Sequence, residues 1–180
     1  VLKPFPDFGR VCDDIAAMLP PNMWDNFVLP YWEIFFQGPI SDRRIHCEDM
    51  SRDHLIFLEQ LGIVDYDPGI SPKLNPALIN ANTDVPFGWR LGSFHYDGMT
   101  SQDIEDFVYQ AGADGASYVF SYVEPNMCKP ENIRKVKAFA DAAENVKQIL
   151  AGGASRVQLS RKVSDKNTGK FWQNWHGFKS

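Results

Sequence analysis

The sequence has no apolar run long enough to span a bilayer, and the residues after Val1 show no signal-peptide pattern, so a membrane is not an expected partner. Paired cysteines are missing too. Cys12, Cys47 and Cys128 are an odd count, widely spaced and without a C-x-x-C motif. That pattern excludes a disulfide framework and points to a reducing, cytoplasmic setting. An excess of basic charge is also lacking. The net charge is -5, so the chain has no global footprint for nucleic acid, which is likewise not an expected partner. No internal repeat stands out, which excludes a solenoid. The chain does not open on Met, and Val1 suggests a processed or excised chain. What is present is ordinary globular material. There are 180 residues, 44% of them hydrophobic and 23% charged, enough for a sizeable core.

Three segments are expected: an aromatic, helical stretch over 1–40, a βα-repeat region over 41–153 and a basic aromatic tail over 154–180. In the first, 13–19 reads as a short helix ended by Pro20-Pro21, and 24–36 as helix in pieces around Pro30. Its aromatics, Trp24, Phe27, Tyr31, Trp32, Phe35 and Phe36, fit a core or a face covered by another chain, and core is the simpler reading. From Asp42 the pattern becomes regular. Strands are expected at 43–48, 63–67, 87–91 and 117–122. Helices are expected at 51–60 with Ser51 as cap, at 72–82 broken by Pro76, at 100–110 with Thr100 as cap, and at 129–151. Strand and helix alternating four times predict an α/β fold with a parallel sheet, either open or part of a (β/α)8 barrel. The tail carries six basic residues against Asp165, a local charge of +5, with Phe171, Trp172, Trp175 and Phe178 among them. It fits nucleic acid, a membrane surface or an acidic partner, or a segment that packs back on its own domain.

In parallel α/β folds chemistry gathers where strands run out into loops. All four expected strands end in capable residues: His46, Glu48 and Asp49; Asp65 and Asp67; Arg90, Ser93, His95 and Asp97; Glu124, Asn126 and Cys128. His46 and Glu48, two apart on a strand, share one face. With Cys128 they offer nitrogen, carboxylate and thiolate ligands, a three-ligand zinc site with an open position. The blander reading has His46 hydrogen-bonded at a strand end, Glu48 paired with Arg43 or Arg44, and Cys128 as a small buried hydrophobe. Asp65 and Asp67 read as a general base, or as a carboxylate orienting a ligand histidine, or as partners of Arg90 or of a helix N-terminus. His95 reads as a general acid or as an exposed side chain, and exposure is expected. Cys47 is expected to pack, and Cys12 to lie in the core.

The run Arg44-Ile45-His46-Cys47-Glu48-Asp49-Met50, then His54-Leu55-Ile56-Phe57-Leu58, Leu61-Gly62-Ile63 and Tyr66-Asp67-Pro68-Gly69, resembles the C-terminal half of the uroporphyrinogen decarboxylase superfamily. Met99-Thr100-Ser101-Gln102-Asp103-Ile104-Glu105 and Lys129-Pro130-Glu131-Asn132-Ile133 continue the likeness, which covers roughly 24–150. The resemblance implies a (β/α)8 TIM-type barrel, of which this chain would supply about four βα units. That superfamily includes the decarboxylase and the cobalamin-dependent methyltransferases. The methyltransferases commonly hold zinc through an H-x-C pair and a distant cysteine. Here Glu48 stands at the second position and Cys128 matches the distant one. The decarboxylase grips its tetrapyrrole with an N-terminal arginine-rich motif and an aspartate, and that arginine-rich region has no counterpart in this chain. A full member is about twice this size, so a missing barrel half, or a second copy in a homo-oligomer, is an expected partner.

The resemblance favours a zinc-dependent methyltransferase component. It would move a methyl group between a methoxy- or thiol-type small molecule and a corrinoid protein that carries the cobalamin. The alternatives are a decarboxylase-like enzyme acting on a tetrapyrrole without metal, and a non-catalytic subunit holding partners through its aromatic N-terminus and basic tail.

Overall fold

The computed structural model describes residues 8–38 and 42–175, and shows a mixed α/β chain with short parallel strands. Phe178 and Lys179 of the tail lie outside the described residues. The chain divides into two compact units, Val1–Gly88 and Trp89–Ser180.

The first unit is built on a parallel sheet in sequence order, β1 (Phe8–Cys12), β2 (Asp42–His46) and β3 (Asp65–Asp67). β1 lies inside the stretch expected to be helical. Tyr66 also makes a parallel bridge to Phe87. The connection from β1 to β2 carries α1 (Trp24–Phe27) and α2 (Leu29–Phe36), with Pro30 in the first turn of α2, where its missing N–H is harmless. The aromatics of this stretch divide between the two expected readings. Trp24, Trp32 and Phe36 are buried, while Phe27, Tyr31 and Phe35 are exposed. Trp24 donates its indole N–H to Ala16 O at 3.1 Å and Leu19 O at 3.3 Å and stacks on Phe57. Trp32 donates to Asp13 Oδ2 at 3.1 Å.

Between β2 and β3, Ser51 starts a 3-10 turn that leads into α3 (Ile56–Gln60). His54 Nδ1 accepts the Ser51 N–H at 3.0 Å, and its Nε2 contacts Leu19 O, also at 3.0 Å. One nitrogen therefore accepts and the other donates, so the ring is neutral; burial accordingly lowers its pKa. After β3, α4 (Pro76–Asn80) starts at the proline expected to break it. Pro76 occupies the first helical position, and Asn75 caps the helix by accepting the Leu78 N–H at 2.9 Å. β4 (Gly88–Arg90) begins where the first unit ends.

The second unit holds β5 (Tyr118–Phe120), which pairs with β4, and the helices α5 (His95–Gly98), α6 (Ser101–Ala113), α7 (Pro130–Ala151) and α8 (Arg156–Ser160). Thr100 and Asp103 form the capping box that opens α6, and Lys129 with Pro130 opens α7. The two long helices pack against each other, with Phe107 stacked on Phe139. A Cβ on Gly112 would come within 3.2 Å of Val146 and Leu159, so the glycine permits this close approach.

The basic tail packs back on this unit. Leu159, Val163, Phe171 and Trp175 are buried, and Trp89, Phe107, Trp172 and Trp175 form one aromatic cluster. Lys166 and Asn167 reach Asp103 at 2.8 and 3.0 Å, Ser164 and Asn167 bond Asp106, and Trp172 donates to Asp114 at 2.6 Å. Among the described residues no closed barrel is formed, and no helix is long and apolar enough to cross a membrane.

Candidate active site at the ends of the parallel strands

Register places the polar residues of the first sheet in rows. Parallel partners pair as Arg10–Arg44–Asp65 and, two positions on, as Cys12–His46–Asp67. Paired residues on neighbouring strands point to the same side, so both rows share one face of the sheet. Val11, Ile45 and Tyr66 lie on the other face, where Ile45 and Tyr66 are fully buried. One face is therefore core and the other carries titratable groups, which become denser toward the C-terminal ends of the strands.

The centre of the second row is an imidazole held by a buried carboxylate. His46 Nδ1 lies 3.0 Å from Asp67 Oδ2, and the Asp67 side chain is only 2% exposed. Asp67 is fixed from two more directions: its Oδ1 accepts the Gly69 N–H at 2.9 Å, and Arg10 reaches Oδ2 at 3.4 Å. Gly69 has φ +58, which lets the chain turn back under the carboxylate. Glu48 lies across this turn. Its Oε1 accepts the Ile70 N–H at 3.2 Å, and a Cβ on Gly69 would come within 2.1 Å of the Glu48 side chain.

These contacts set the charge states. The Asp67 hydrogen bond raises the His46 pKa against the opposing effect of burial, and the charges of Asp67, Asp14 and Glu48 add to the rise. Burial pushes Asp67 up, but the bonds from His46 and Gly69 and the charge of Arg10 outweigh it, and its pKa falls. Both shifts describe the same imidazolium–carboxylate pair. The other ring nitrogen, Nε2, lies 3.7 Å from Asp14 Oδ1, on the half-exposed side of the ring. Asp14 is itself positioned by accepting the Glu48 N–H at 2.8 Å. The pair can hold a proton at Nε2 and present it to a bound molecule.

The expected site residues fall in different places. His46, Glu48 and Asp67 come together as described. Asp65 lies in the neighbouring row, with its carboxylate 3.9 Å from Arg44. Arg43 bonds Glu33 and the Leu61 carbonyl, while Glu48 accepts the Ile70 N–H. Cys128 is exposed and ends a 3-10 turn in the second unit, so it is not a buried hydrophobe. Among the described residues no group of three or more His, Cys, Asp and Glu side chains is placed to hold a metal ion. His46 and Glu48 belong to the first unit and Cys128 to the second.

His95 corrects an expectation. It is fully buried, with its ring stacked 4.4 Å from Trp175 and its Nδ1 accepting the Gly92 N–H. The tail's aromatic residues cover it, which no local pattern around residue 95 reveals. Cys12 is a second correction, since it is exposed rather than core, while Cys47 is buried as expected. Arg10 and Asp14 were not expected at a site. The available signal was Asp13-Asp14 directly after Val11-Cys12, legible only once 8–12 is known to be a strand.

No protein-family model matches the chain, and no curated protein matches it.

Proposed function

We propose that the strand-end cluster is an enzyme active site in which His46, held by Asp67, carries the proton. In this proposal the enzyme is built on the βα-barrel plan of the uroporphyrinogen decarboxylase superfamily. The observation that carries it is the 3.0 Å contact between His46 Nδ1 and a carboxylate that is 2% exposed. A carboxylate that orients an imidazole and stabilises its protonated form is how enzymes set up a histidine acid–base group. Its place at the C-terminal ends of parallel strands is where βα folds concentrate chemistry. Parallel strands in sequence order, linked through helices, support the barrel plan. In the decarboxylase-like form of this reading, His46 delivers a proton to the carbon that loses carboxylate. Arg10, 36% exposed on the same face, supplies a cation for an acidic substrate.

The corrinoid methyltransferase reading draws on the same contact. A histidine bonded through Nδ1 to a carboxylate is also how metal ligands are oriented. His46 and Glu48, with Cys128 as the thiolate, are the residues that would hold zinc. When bound, zinc would activate a thiol or methoxy group as a Lewis acid. A missing barrel half or a second copy, and a corrinoid protein, are the partners this reading calls for.

The deciding measurement is an NMR pH titration of His46 in the metal-free chain, with zinc content measured before and after stripping. The acid–base reading expects a His46 pKa above 6.5 that falls in Asp67→Asn. A wild-type value at or below 6.5, unmoved by Asp67→Asn, refutes it. About one zinc per purified chain, lost in both His46→Ala and Cys128→Ser, would turn the assignment to methyl transfer.

A further inference from the structure

We propose that Cys12 is the nucleophile of this site, a thiol placed beside His46 by strand register and served through it by Asp67. The inference rests on the reading of His46 as the group that carries the proton, and adds a covalent step to it.

Three adjacent parallel strands end in Cys12, His46 and Asp67, one residue from each, paired in a single row on the same face. The order across the sheet is thiol, imidazole, buried carboxylate. That is the order a nucleophile, its base and the group that orients the base must have. The row is held firmly at the thiol end, because Asp13 N–H donates to His46 O at 3.0 Å and carries the β1–β2 ladder past Cys12. Asp67 occupies His46 Nδ1, so Nε2 is the ring atom left for a thiol. Nε2 does lie on the β1 side, 3.7 Å from Asp14, which follows Cys12 by two positions. Cys12 is exposed, so a substrate can reach it.

The charged groups around the row are Arg10 on the same face of β1, Asp14 after it, Glu48 after β2, and Asp67. Asp13 is turned away and accepts from Ala16 N and Trp32 Nε1. The other cysteines lack this setting. Cys47 is fully buried, and burial with the charges of Asp14 and Asp13 pushes its thiol up to about 12. Cys128 is exposed, but its turn, Pro125–Cys128, contains no histidine.

The step this row can carry is capture of an acyl group from an ester or thioester. The Cys12 thiol gives its proton to His46 Nε2, and the sulfur pair attacks the carbonyl carbon. A C–S bond forms, the bond to the leaving alcohol or thiol breaks, and the imidazolium returns the proton to that leaving group. Water, deprotonated by His46, then releases the carboxylic acid and restores the thiol.

The test is the rate of iodoacetamide alkylation at each cysteine of the native full-length chain at pH 6, read by peptide mass mapping. Wild type, His46→Gln and Asp67→Asn are compared, with His46 followed by NMR in the same samples. Proton transfer to His46 speeds attack by the Cys12 sulfur, so Cys12 is expected to react at least about tenfold faster than Cys128. His46→Gln should bring the two rates within about twofold. Equal rates in wild type, or a fast Cys12 unaffected by His46→Gln, overturns the proposal. If His46→Gln unfolds, Cys47 becomes reactive, and the wild-type comparison with Asp67→Asn decides instead. A slow Cys12 beside a His46 of raised pKa defeats the nucleophile alone, whereas a His46 that is not raised defeats the acid–base reading beneath it.

Discussion

Replacing Asp103 by asparagine tests whether the tail is clamped to its unit by charge. Asp103 is 2% exposed, and its carboxylate receives Lys166, Asn167 and both the N–H and the hydroxyl of Thr100. Burial alone would raise its pKa, but the bonds from Lys166, Thr100 and Asn167 outweigh burial and hold it at about 2, against an ordinary value of 3.8. At about 1.4 kcal/mol per pH unit, that depression amounts to about 2 kcal/mol of folding stability. A carboxylate depressed in the folded state contributes this stability above pH 3.8 and loses it as the pH falls through about 2. Urea unfolding of wild type and Asp103→Asn, followed by the fluorescence of the tail tryptophans Trp172 and Trp175, should therefore differ by at least about 2 kcal/mol at pH 6. About that much of the gap should close by pH 2. The other carboxylates titrate in both proteins and cancel in the difference. A gap of the same size at pH 2 and pH 6 would show that Asp103 acts only through shape and neutral hydrogen bonds, and the charge clamp would be refuted.

Gly69→Ala should destabilise the first unit by about 1–2 kcal/mol, because an alanine there must adopt φ +58 and displace the Glu48 side chain. Gly152→Ala, with ordinary φ and only van der Waals neighbours, serves as the neutral control in the same melts. Trp24→Phe keeps most of the stacking on Phe57 but removes the N–H shared by the Ala16 and Leu19 carbonyls, and should cost about 1–2 kcal/mol in urea. The His46 pair has the opposite pH sense from Asp103. A raised histidine contributes its full stability below pH 6.5 and loses it as the pH rises through the folded value, so the stability advantage of wild type over His46→Gln should shrink on the alkaline side.

The long helices α6 and α7 were legible because their ends are written locally. Thr100 with Asp103 marks one start, Lys129-Pro130 the other, and Gly152-Gly153 a stop. Pro76 was misread for want of its neighbour. The same proline breaks a helix interior and begins a helix, and only Asn75 before it signals a beginning. β1 was missed because five residues between prolines and an Asp-Asp pair offer too little alternation to set a period. That omission removed Arg10, Cys12 and Asp14 from view together. His46 and Asp67 were visible because chemistry collects at strand ends, but their mutual contact depends on the β2–β3 register, which fixes which carboxylate of Asp65 and Asp67 meets the ring.

The tail shows why its sequence stayed ambiguous and what resolves it. A basic, aromatic segment fits an external anion as well as an internal one. The missing half of the argument lies on α6, where Asp103 and Asp106 are buried and Asp114 sits just past its end. Helix faces turned inward do not carry carboxylates unless donors meet them, because an unpaired buried charge is costly. Asp103 and Asp106 fall three apart, on one face of the helix. Ser164, Lys166, Asn167 and Trp172 supply donors to the three carboxylates, from a segment more than fifty residues away in sequence. Much of the polar chemistry that looked free to bind a partner is thereby spent within the second unit. The titratable groups at the strand ends of the first sheet, where His46 lies between Asp67 and Asp14, are the stronger place to look for a substrate.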